Sequence, residues 1–216
     1  MANQQIILTF VPLIANLCLL MKKQITNTVL MVRPVRFRMN EQTVVNNYFQ
    51  EEMDLKNEEI NRQAQQEFDT FVEKLRAVGV KVIVVDDVYE QNTPDSVFPN
   101  NWITFHQNGD IAIYPMFAEN RRRERREDIL DKVEAEGFDI ENVYDYTDAE
   151  KENIFLEGTG AMILDRVNRK AYCALSPRAD EPLLAGNGKG KSAVDFGTMF
   201  KSSIRPSCTT EKSSVI

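Results

Sequence analysis

Glu157 opens a glycine-rich segment, Glu157-Gly158-Thr159-Gly160, which leads directly into the apolar run 161–164. Glycines at such a place let the backbone turn sharply or approach a ligand closely. A carboxylate held at such a turn can receive a cationic group or orient a general base. Two more segments lie around it in order: DSVFPNNW at residues 95–102 upstream and LSPRAD at residues 175–180 downstream. Together the three segments form the candidate functional site of this chain.

These three segments, together with VLMVRP at residues 29–34, resemble those of the guanidino-group-modifying enzymes. That superfamily includes the arginine deiminases, the dimethylarginine dimethylaminohydrolases and the amidinotransferases. The resemblance is closest to the arginine-deiminase-related branch called citrulline-utilization hydrolases, and it runs from about residue 21 to about residue 184. The last part of the family's pattern has no counterpart here, so the resemblance implies a C-terminally shortened chain. The implied fold is α/β, a partial β/α-propeller (pentein) with about three of its five modules.

The resemblance implies attack on the central carbon of a guanidinium or ureido group by a thiolate, with a histidine that moves protons. Glu157 matches the carboxylate that orients this histidine or contacts a substrate nitrogen; the alternative is an acid that only shapes a turn. Arg178 matches the arginine that binds the substrate α-carboxylate, a role that suits the guanidinium fork. Arg121 resembles a second such arginine, although its arginine-rich run, residues 121–126, is also typical of a solvated helix face.

Asn101 stands where the related deiminases have an aspartate that grips the guanidinium. An amide donates as well as accepts hydrogen bonds, whereas a carboxylate only accepts them. A neutral ureido group presents a carbonyl that needs a donor, so Asn101 is consistent with citrulline rather than arginine. The alternative is that Asn100-Asn101 shapes the turn before the strand that begins at Trp102. The expected partner is therefore a small guanidino or ureido amino acid, of the citrulline, arginine or methylated arginine type.

No residue pair in the sequence matches the nucleophile and base that the chemistry needs. The single histidine, His106, lies at the polar end of a predicted strand, where a surface histidine is expected. Cys173 lies in the middle of a predicted strand and fits a small core residue, and Cys208 lies in a polar tail. No spacing predicts a metal site, and no cofactor is implied. We therefore expect a hydrolase-family chain that is inactive alone.

Two alternatives to the inactive hydrolase stay open. One is a non-catalytic substrate-binding or regulatory module of the same fold. The other is a membrane-associated interaction protein, suggested by the apolar run 6–20. That run is shorter than the roughly 20 residues of a bilayer span and contains Pro12 and Asn16. We therefore expect no membrane anchor.

Alternating strands and helices are predicted through the body of the chain. The apolar runs 28–33 and 80–85 predict strands on either side of an amphipathic helix over 57–78. Asn108-Gly109 predicts a hairpin between 102–105 and 111–114, and a second hairpin is predicted to pair 161–164 with 171–175 across Asn168-Arg169. The charged segment 121–136 predicts one helix, which ends at Gly137.

Composition and the termini bound the domain. Of 216 residues, 43% are hydrophobic and 27% charged, as in an average globular domain. The net charge of −7 argues against a nucleic-acid partner, and three widely spaced cysteines predict no disulfide framework and a cytoplasmic location. Residues 1–20 are predicted to be an apolar N-terminal extension, 21–184 the partial pentein domain, and 185–216 a flexible or aberrant tail. An incomplete propeller leaves module faces uncovered, which predicts self-association.

Overall fold

Three small sheets form the framework of the protein, and a computed structural model describes them over residues 25–44, 56–168, 170–184 and 200–202. The first sheet pairs β1 (Thr28–Arg33) with β2 (Lys81–Asp86), the second orders β3 (Ile103–Phe105), β4 (Asp110–Ile113) and β5 (Asn142–Asp145), and the third orders β6 (Met162–Asp165), β7 (Lys170–Ala174) and β8 (Phe200–Ser202). The second and third sheets share one plan, because each joins an antiparallel hairpin to a parallel third strand. This repetition indicates that the chain is built from similar units in series.

The first sheet is parallel, and helix α1 (Asn57–Ala77) connects its two strands. Phe68 and Val72 of the helix are buried against Val82, on the sheet face that also carries Val29 and Met31. Acids in the first turn and basic residues in the last turn of α1 match the helix dipole. The predicted helix 57–78 and the predicted strands 28–33 and 80–85 are therefore confirmed, with boundaries shifted by at most one residue.

The hairpin at Asn108-Gly109 is confirmed, since β3 and β4 pair antiparallel on either side of it. The single helix predicted over 121–136 is wrong. Helix α2 (Glu119–Arg122) and helix α3 (Glu127–Ala135) are separate, and Arg126 between them has an extended backbone with φ −127° and ψ 134°. Strand β5 was not predicted at all, because it is short, polar and largely exposed and pairs only along β4. Both departures come from contacts with distant parts of the chain.

The arginine-rich run 121–126 does not form the solvated helix face that its composition suggested. Each of its five arginines donates a hydrogen bond to a backbone carbonyl of another segment; the acceptors are Phe98 for Arg121, Met116 for Arg122, Gln91 for Arg123, Tyr114 for Arg125 and Asp86 for Arg126. These bonds hold the break between α2 and α3 against the loops that surround it. Tertiary hydrogen bonding has therefore overridden the local helical preference of the run.

The third sheet follows a short helix α4 (Gly158–Ala161), and its hairpin pairs β6 with β7 as predicted. After helix α5 (Glu181–Leu184), strand β8 pairs parallel with β7, so three residues of the predicted tail 185–216 belong to the sheet. The predicted extension 1–20, the rest of that tail and Arg169 lie outside the described residues. Within the described part, no helix combines the length and the apolar character needed to cross a membrane.

Two apolar clusters connect the three sheets. The first lies between the first and second sheets and joins Val32 and Val85 to Trp102, Ile103, Ile111, Met116 and Ile129. The second lies between the second and third sheets and joins Ala112 and Tyr114 to Leu156, Met162, Cys173 and Ala179. The sheets therefore pack in series, and the segments before β3, before β6 and after β7 meet beside the second cluster.

Candidate functional site

The backbone around Glu157 is held by three other segments of the chain. Glu157 N–H donates to Arg178 O at 3.0 Å, and the preceding Leu156 N–H donates to Pro115 O at 3.2 Å. Gly158 has φ +30°, and a Cβ there would lie 2.4 Å from Asn100 O. Only glycine permits this close approach, because an L side chain would be strained at that φ and would collide with backbone. The glycine motif therefore serves to bring Glu157 against the 95–102 segment.

The carboxylate of Glu157 is the point at which the predicted site residues converge. Its Oε2 accepts a hydrogen bond from Asn101 Nδ2 at 3.0 Å and one from Arg178 Nη1 at 3.4 Å. Its Oε1 accepts from Phe117 N–H at 3.1 Å. The residue is 1% exposed, whereas the Arg178 side chain is 19% exposed and Asn101 is half-buried. Glu157 is thus the buried floor of the cluster, and Asn101 and Arg178 form its outer side.

Arg121 lies behind Glu157 and is buried, with 2% of its surface exposed. Its Nε and Nη2 make a bidentate pair with Glu124 at 2.8 and 3.0 Å, and Nη2 also donates to Asp95 O and Phe98 O. Its Nη1 lies 3.9 Å from Glu157 Oε2 and makes no hydrogen bond among the described residues. Burial raises the pKa of Glu124 to about 7, although Arg121 opposes this shift. The positive charge of Arg121 therefore lies close to the carboxylates of both Glu124 and Glu157.

A network of buried amides supports the 95–102 segment from the other side. Asn40 Nδ2 donates to Asp95 Oδ2 at 2.7 Å, and Asn120 Nδ2 donates to Asn40 Oδ1 at 2.7 Å. Gln42 completes the link, because its Oε1 accepts from Asn120 N–H at 2.9 Å. Asn40 and Asn120 were not among the predicted site residues, since an isolated asparagine carries no recognisable spacing. They join the loop after β1 to the arginine that lies behind Glu157.

His106 and Cys173 lie outside this cluster. His106 is half-buried; its Nδ1 lies 2.9 Å from Arg166 Nη1 and its Nε2 lies 3.2 Å from Thr104 Oγ1. Burial and the charge of Arg166 lower its pKa to about 4, so it is neutral at physiological pH. Cys173 is buried in the second cluster, and burial raises the pKa of its thiol to about 11. A core role for Cys173 is confirmed, while His106 is less exposed than its sequence position suggested.

The cluster combines a buried carboxylate, a side-chain amide and two guanidinium groups. Such groups can donate hydrogen bonds to, and accept them from, the polar and charged atoms of a ligand. Within the described ranges, no group of three or more His, Cys, Asp or Glu side chains is arranged to hold a metal ion. Arg121, Asn101, Glu157 and Arg178, which the sequence predicted from separate motifs, are all brought together here.

The model of the family described as "N,N dimethylarginine dimethylhydrolase, eukaryotic" matches residues 33–196. No curated protein is similar enough in sequence to match the chain. Among solved structures, the chain is similar to dimethylarginine dimethylaminohydrolase from Pseudomonas aeruginosa, in a cysteine-to-serine mutant complexed with citrulline. The sequence identity is 12% and the TM-score is 0.52, and the match covers 82% of this chain and 62% of that one. A histidine-to-glycine mutant of a dimethylarginine dimethylaminohydrolase, an adduct with S-methyl-L-thiocitrulline, is 13% identical with a TM-score of 0.51 and the same coverage.

A cyanobacterial arginine dihydrolase, the N-terminal domain of ArgZ bound to substrate, is 18% identical with a TM-score of 0.49, over 81% of this chain and 56% of that one. This chain thus spans less than two thirds of the length of each of these structures. At such low identities the two dimethylaminohydrolases show a shared mixed α/β fold. The family model, in contrast, matches most of the sequence, including Glu157 and the three site residues around it. The chain therefore belongs to the eukaryotic N,N-dimethylarginine dimethylhydrolase family, within the guanidino-group-modifying superfamily that its sequence resembles.

Proposed function

We propose that this chain binds a small ureido or guanidino amino acid at the cluster around Glu157. Asn101 and Glu157 would contact the head group, and Arg178 would bind the α-carboxylate. The observation that carries this proposal is the convergence of Asn101 Nδ2 and Arg178 Nη1 on Glu157 Oε2, at 3.0 and 3.4 Å. A partly exposed arginine next to a buried acid supplies both signs of charge that a zwitterionic amino acid needs.

The ligand that suits this cluster best is of the citrulline type. One N–H of Asn101 Nδ2 is directed to Glu157, and the amide has a second N–H with which to donate to a ureido carbonyl. Arginine would instead present a cationic head group, for which an amide is a weaker partner than a carboxylate. The citrulline-bound and thiocitrulline-bound relatives are compatible with this ligand class.

Arg121 would act from behind the ligand. Glu124 and two backbone carbonyls take its Nε and Nη2 donors, so only Nη1, which faces Glu157, remains for a ligand carboxylate or for electrostatic support. A buried arginine at this place would offset the negative charge of Glu157 and keep the cluster near neutrality before the ligand binds. We therefore assign direct binding to Arg178 and support to Arg121.

Hydrolysis by this chain alone would need a thiolate and a proton carrier. Cys173 is a buried thiol with a raised pKa, and His106 is held by Arg166 and Thr104 away from the cluster. Cys18 and Cys208 lie outside the described residues. Our proposal is thus a hydrolase-family chain that binds without turnover; a thiol-dependent hydrolase is the second candidate. Thiol chemistry would be supported by release of ammonia or ornithine that disappears in Cys173→Ala or Cys208→Ala.

We also propose that the three sheets correspond to about three of the five modules of a pentein. On this proposal residues 21–184 together with β8 form the partial propeller, residues 1–20 an appended segment and the rest of residues 185–216 a tail. The repeated plan of a hairpin followed by a parallel strand in the second and third sheets supports it. Proteolysis of the purified chain should then yield a stable core that begins near residue 21 and ends near residue 184 or residue 202.

Isothermal titration calorimetry with citrulline, arginine and N,N-dimethylarginine tests the binding proposal. We expect citrulline to bind more tightly than arginine, and Asn101→Asp to reverse that order. Arg178→Ala should cost about 2 kcal/mol, or about 30-fold in Kd, the scale of a lost charge-assisted hydrogen bond. Arg62→Ala is the matched control, because Arg62 is an exposed arginine on α1 that is paired with Glu59. Equal citrulline affinity in Arg178→Ala and Arg62→Ala would remove Arg178 from the site.

A further inference from the structure

The two apolar clusters reveal how successive sheets pack. We define the rear face of a sheet as the side toward the preceding sheet in the chain, and the front face as the opposite side. In the first sheet, the rear face is the side that points away from the second sheet. In the second sheet, Ile103 and Ile111 lie on the rear face, in one cluster with Val32 and Val85 of the first sheet. Ala112 lies on the front face, in one cluster with Met162 of the third sheet. Each front face therefore packs on the rear face of the sheet that follows.

The third sheet repeats this pattern, but the pair at the corresponding front-face position is more exposed to solvent. In the second sheet the front-face pair Thr104↔Ala112 stands between two rear-face pairs, and its residues are 5% and 0% exposed. In the third sheet the pair Ile163↔Tyr172 occupies the same position, between Met162↔Cys173 and Leu164↔Ala171. Ile163 is 73% exposed and Tyr172 is 41% exposed. An apolar pair in this position is the kind of surface that proteins use for association.

At the other end of the series, helix α1 covers the rear face of the first sheet. Phe68 and Val72 on its inner side are buried, whereas Phe71 on its outer side is 52% exposed. Phe71 lines an open depression of about 500 Å³; among the described residues, Gln63, Gln66, Glu67, Thr70 and Lys74 also line it. The chain thus presents an exposed front face at one end and an exposed aromatic on its rear side at the other.

We propose that these two surfaces bind each other in different copies of the chain, so that Ile163 and Tyr172 of one copy pack on Phe71 of the next. The front-to-rear order that joins sheets within the chain would then continue between chains. Charge supports the pairing. Asp165 and Lys170 stand opposite each other in the strand register, on the same face as Ile163 and Tyr172, and Glu67 and Lys74 line the depression at Phe71. Each surface therefore carries an acid and a base that can meet the opposite charge. Such a contact is head-to-tail, not two-fold symmetric.

Directed crosslinking distinguishes the head-to-tail contact from other modes of association. Ile163→Cys and Phe71→Cys are made in separate chains in which Cys18 and Cys208 are changed to serine; Cys173 stays, because it is buried. A short bismaleimide should link the two chains only when they are mixed. Linkage of Ile163→Cys chains to one another would show a symmetric contact and overturn the proposal.

Sedimentation of the full-length chain provides the second measurement. We expect concentration-dependent assemblies, and both Ile163→Lys and Phe71→Glu should weaken the association at least about tenfold while circular dichroism stays unchanged. Val143→Lys is the control, because Val143 is 53% exposed on β5 but belongs to neither surface. A monomer at every concentration, or equal loss in the Val143→Lys control, would also overturn the proposal.

Discussion

The buried pair of Arg121 and Glu124 allows a sharp test, because the chain contains an exposed pair of nearly the same geometry. Arg121 Nε and Nη2 bind the two oxygens of Glu124 at 2.8 and 3.0 Å, and Arg62 binds Glu59 in the same bidentate way at 2.9 and 2.6 Å. Both pairs are three residues apart. Side-chain exposure is 3% and 1% in the first pair but 60% and 39% in the second. The pairs differ in burial and in what surrounds the arginine, because Arg121 also donates to two backbone carbonyls and lies near two further acids.

Arg121→Met keeps most of the apolar length of the side chain and removes its charge. The change leaves Glu124 without its cation, together with Asp95 and Glu157, whose carboxylates lie 3.9 Å from the arginine. Breaking a buried pair typically costs about 3–5 kcal/mol, a large share of the 5–15 kcal/mol by which a typical domain is stable. Arg62→Met should cost less than about 1 kcal/mol, because water solvates the partner that remains.

Urea titration at constant pH measures both free energies of unfolding. Burial already raises the pKa of Glu124 above its ordinary 4.5, to about 7, and Arg121 opposes this shift. Without Arg121, Glu124 should therefore stay protonated up to a higher pH. Because the folded-state pKa lies above the unfolded value, stability is lost as pH rises, and the penalty of Arg121→Met should shrink toward pH 4.5. Equal costs for Arg121→Met and Arg62→Met would refute the reasoning that burial sets the energy.

Three other measurements follow from single residues. Gly158→Ala should lower the free energy of unfolding by at least about 2 kcal/mol, because its Cβ would lie 2.4 Å from Asn100 O. Gly79 is the control, since it has φ +86° but open space around it. Gly79→Ala should therefore cost about 1 kcal/mol in the same urea titration. In a Cys18→Ser/Cys208→Ser variant, Cys173 should react far more slowly with a thiol reagent at mildly alkaline pH in the native protein than in urea, since burial raises its pKa to about 11. Comparable reaction rates in the native and the unfolded protein would contradict its core position. His106 has a pKa lowered from 6.5 to about 4 by burial and by Arg166, so the unfolded chain binds more protons and stability should fall as pH drops through that window. His106→Gln should flatten this decline, and identical slopes would show that His106 does not contribute to it.

Elements with a strong local pattern could be predicted from the sequence alone. Helix α1 has apolar residues at helical spacing, and the first sheet has two β-branched runs. The hairpin at Asn108-Gly109 has the turn chemistry that specifies such a loop. The site residues Asn101, Glu157 and Arg178 were predicted from short motifs whose order matches one family, and their mutual contacts are present.

Other features depend on contacts that no local pattern contains. The arginine-rich run looked like one solvated helix, because its composition is helical and charged. Its five side chains instead donate to carbonyls that belong to segments before β3, around β4 and at the end of β2, and this interrupts the helix. Strand β5 pairs in parallel with β4, a contact that its own polar sequence does not predict.

The amino-acid sequence therefore determined which types of residue meet at the site and where α1, the first sheet and the two hairpins form, because these properties follow from composition, spacing and turn chemistry. Only the tertiary structure decided that Arg121 is buried beside Glu157 and that Ile163 and Tyr172 remain exposed. The physical reason is that burial and charge compensation are properties of neighbours in space. For Arg121 the nearest acids are Glu124 close in sequence and Asp95 and Glu157 far from it, and the free energy of the site depends on all three together.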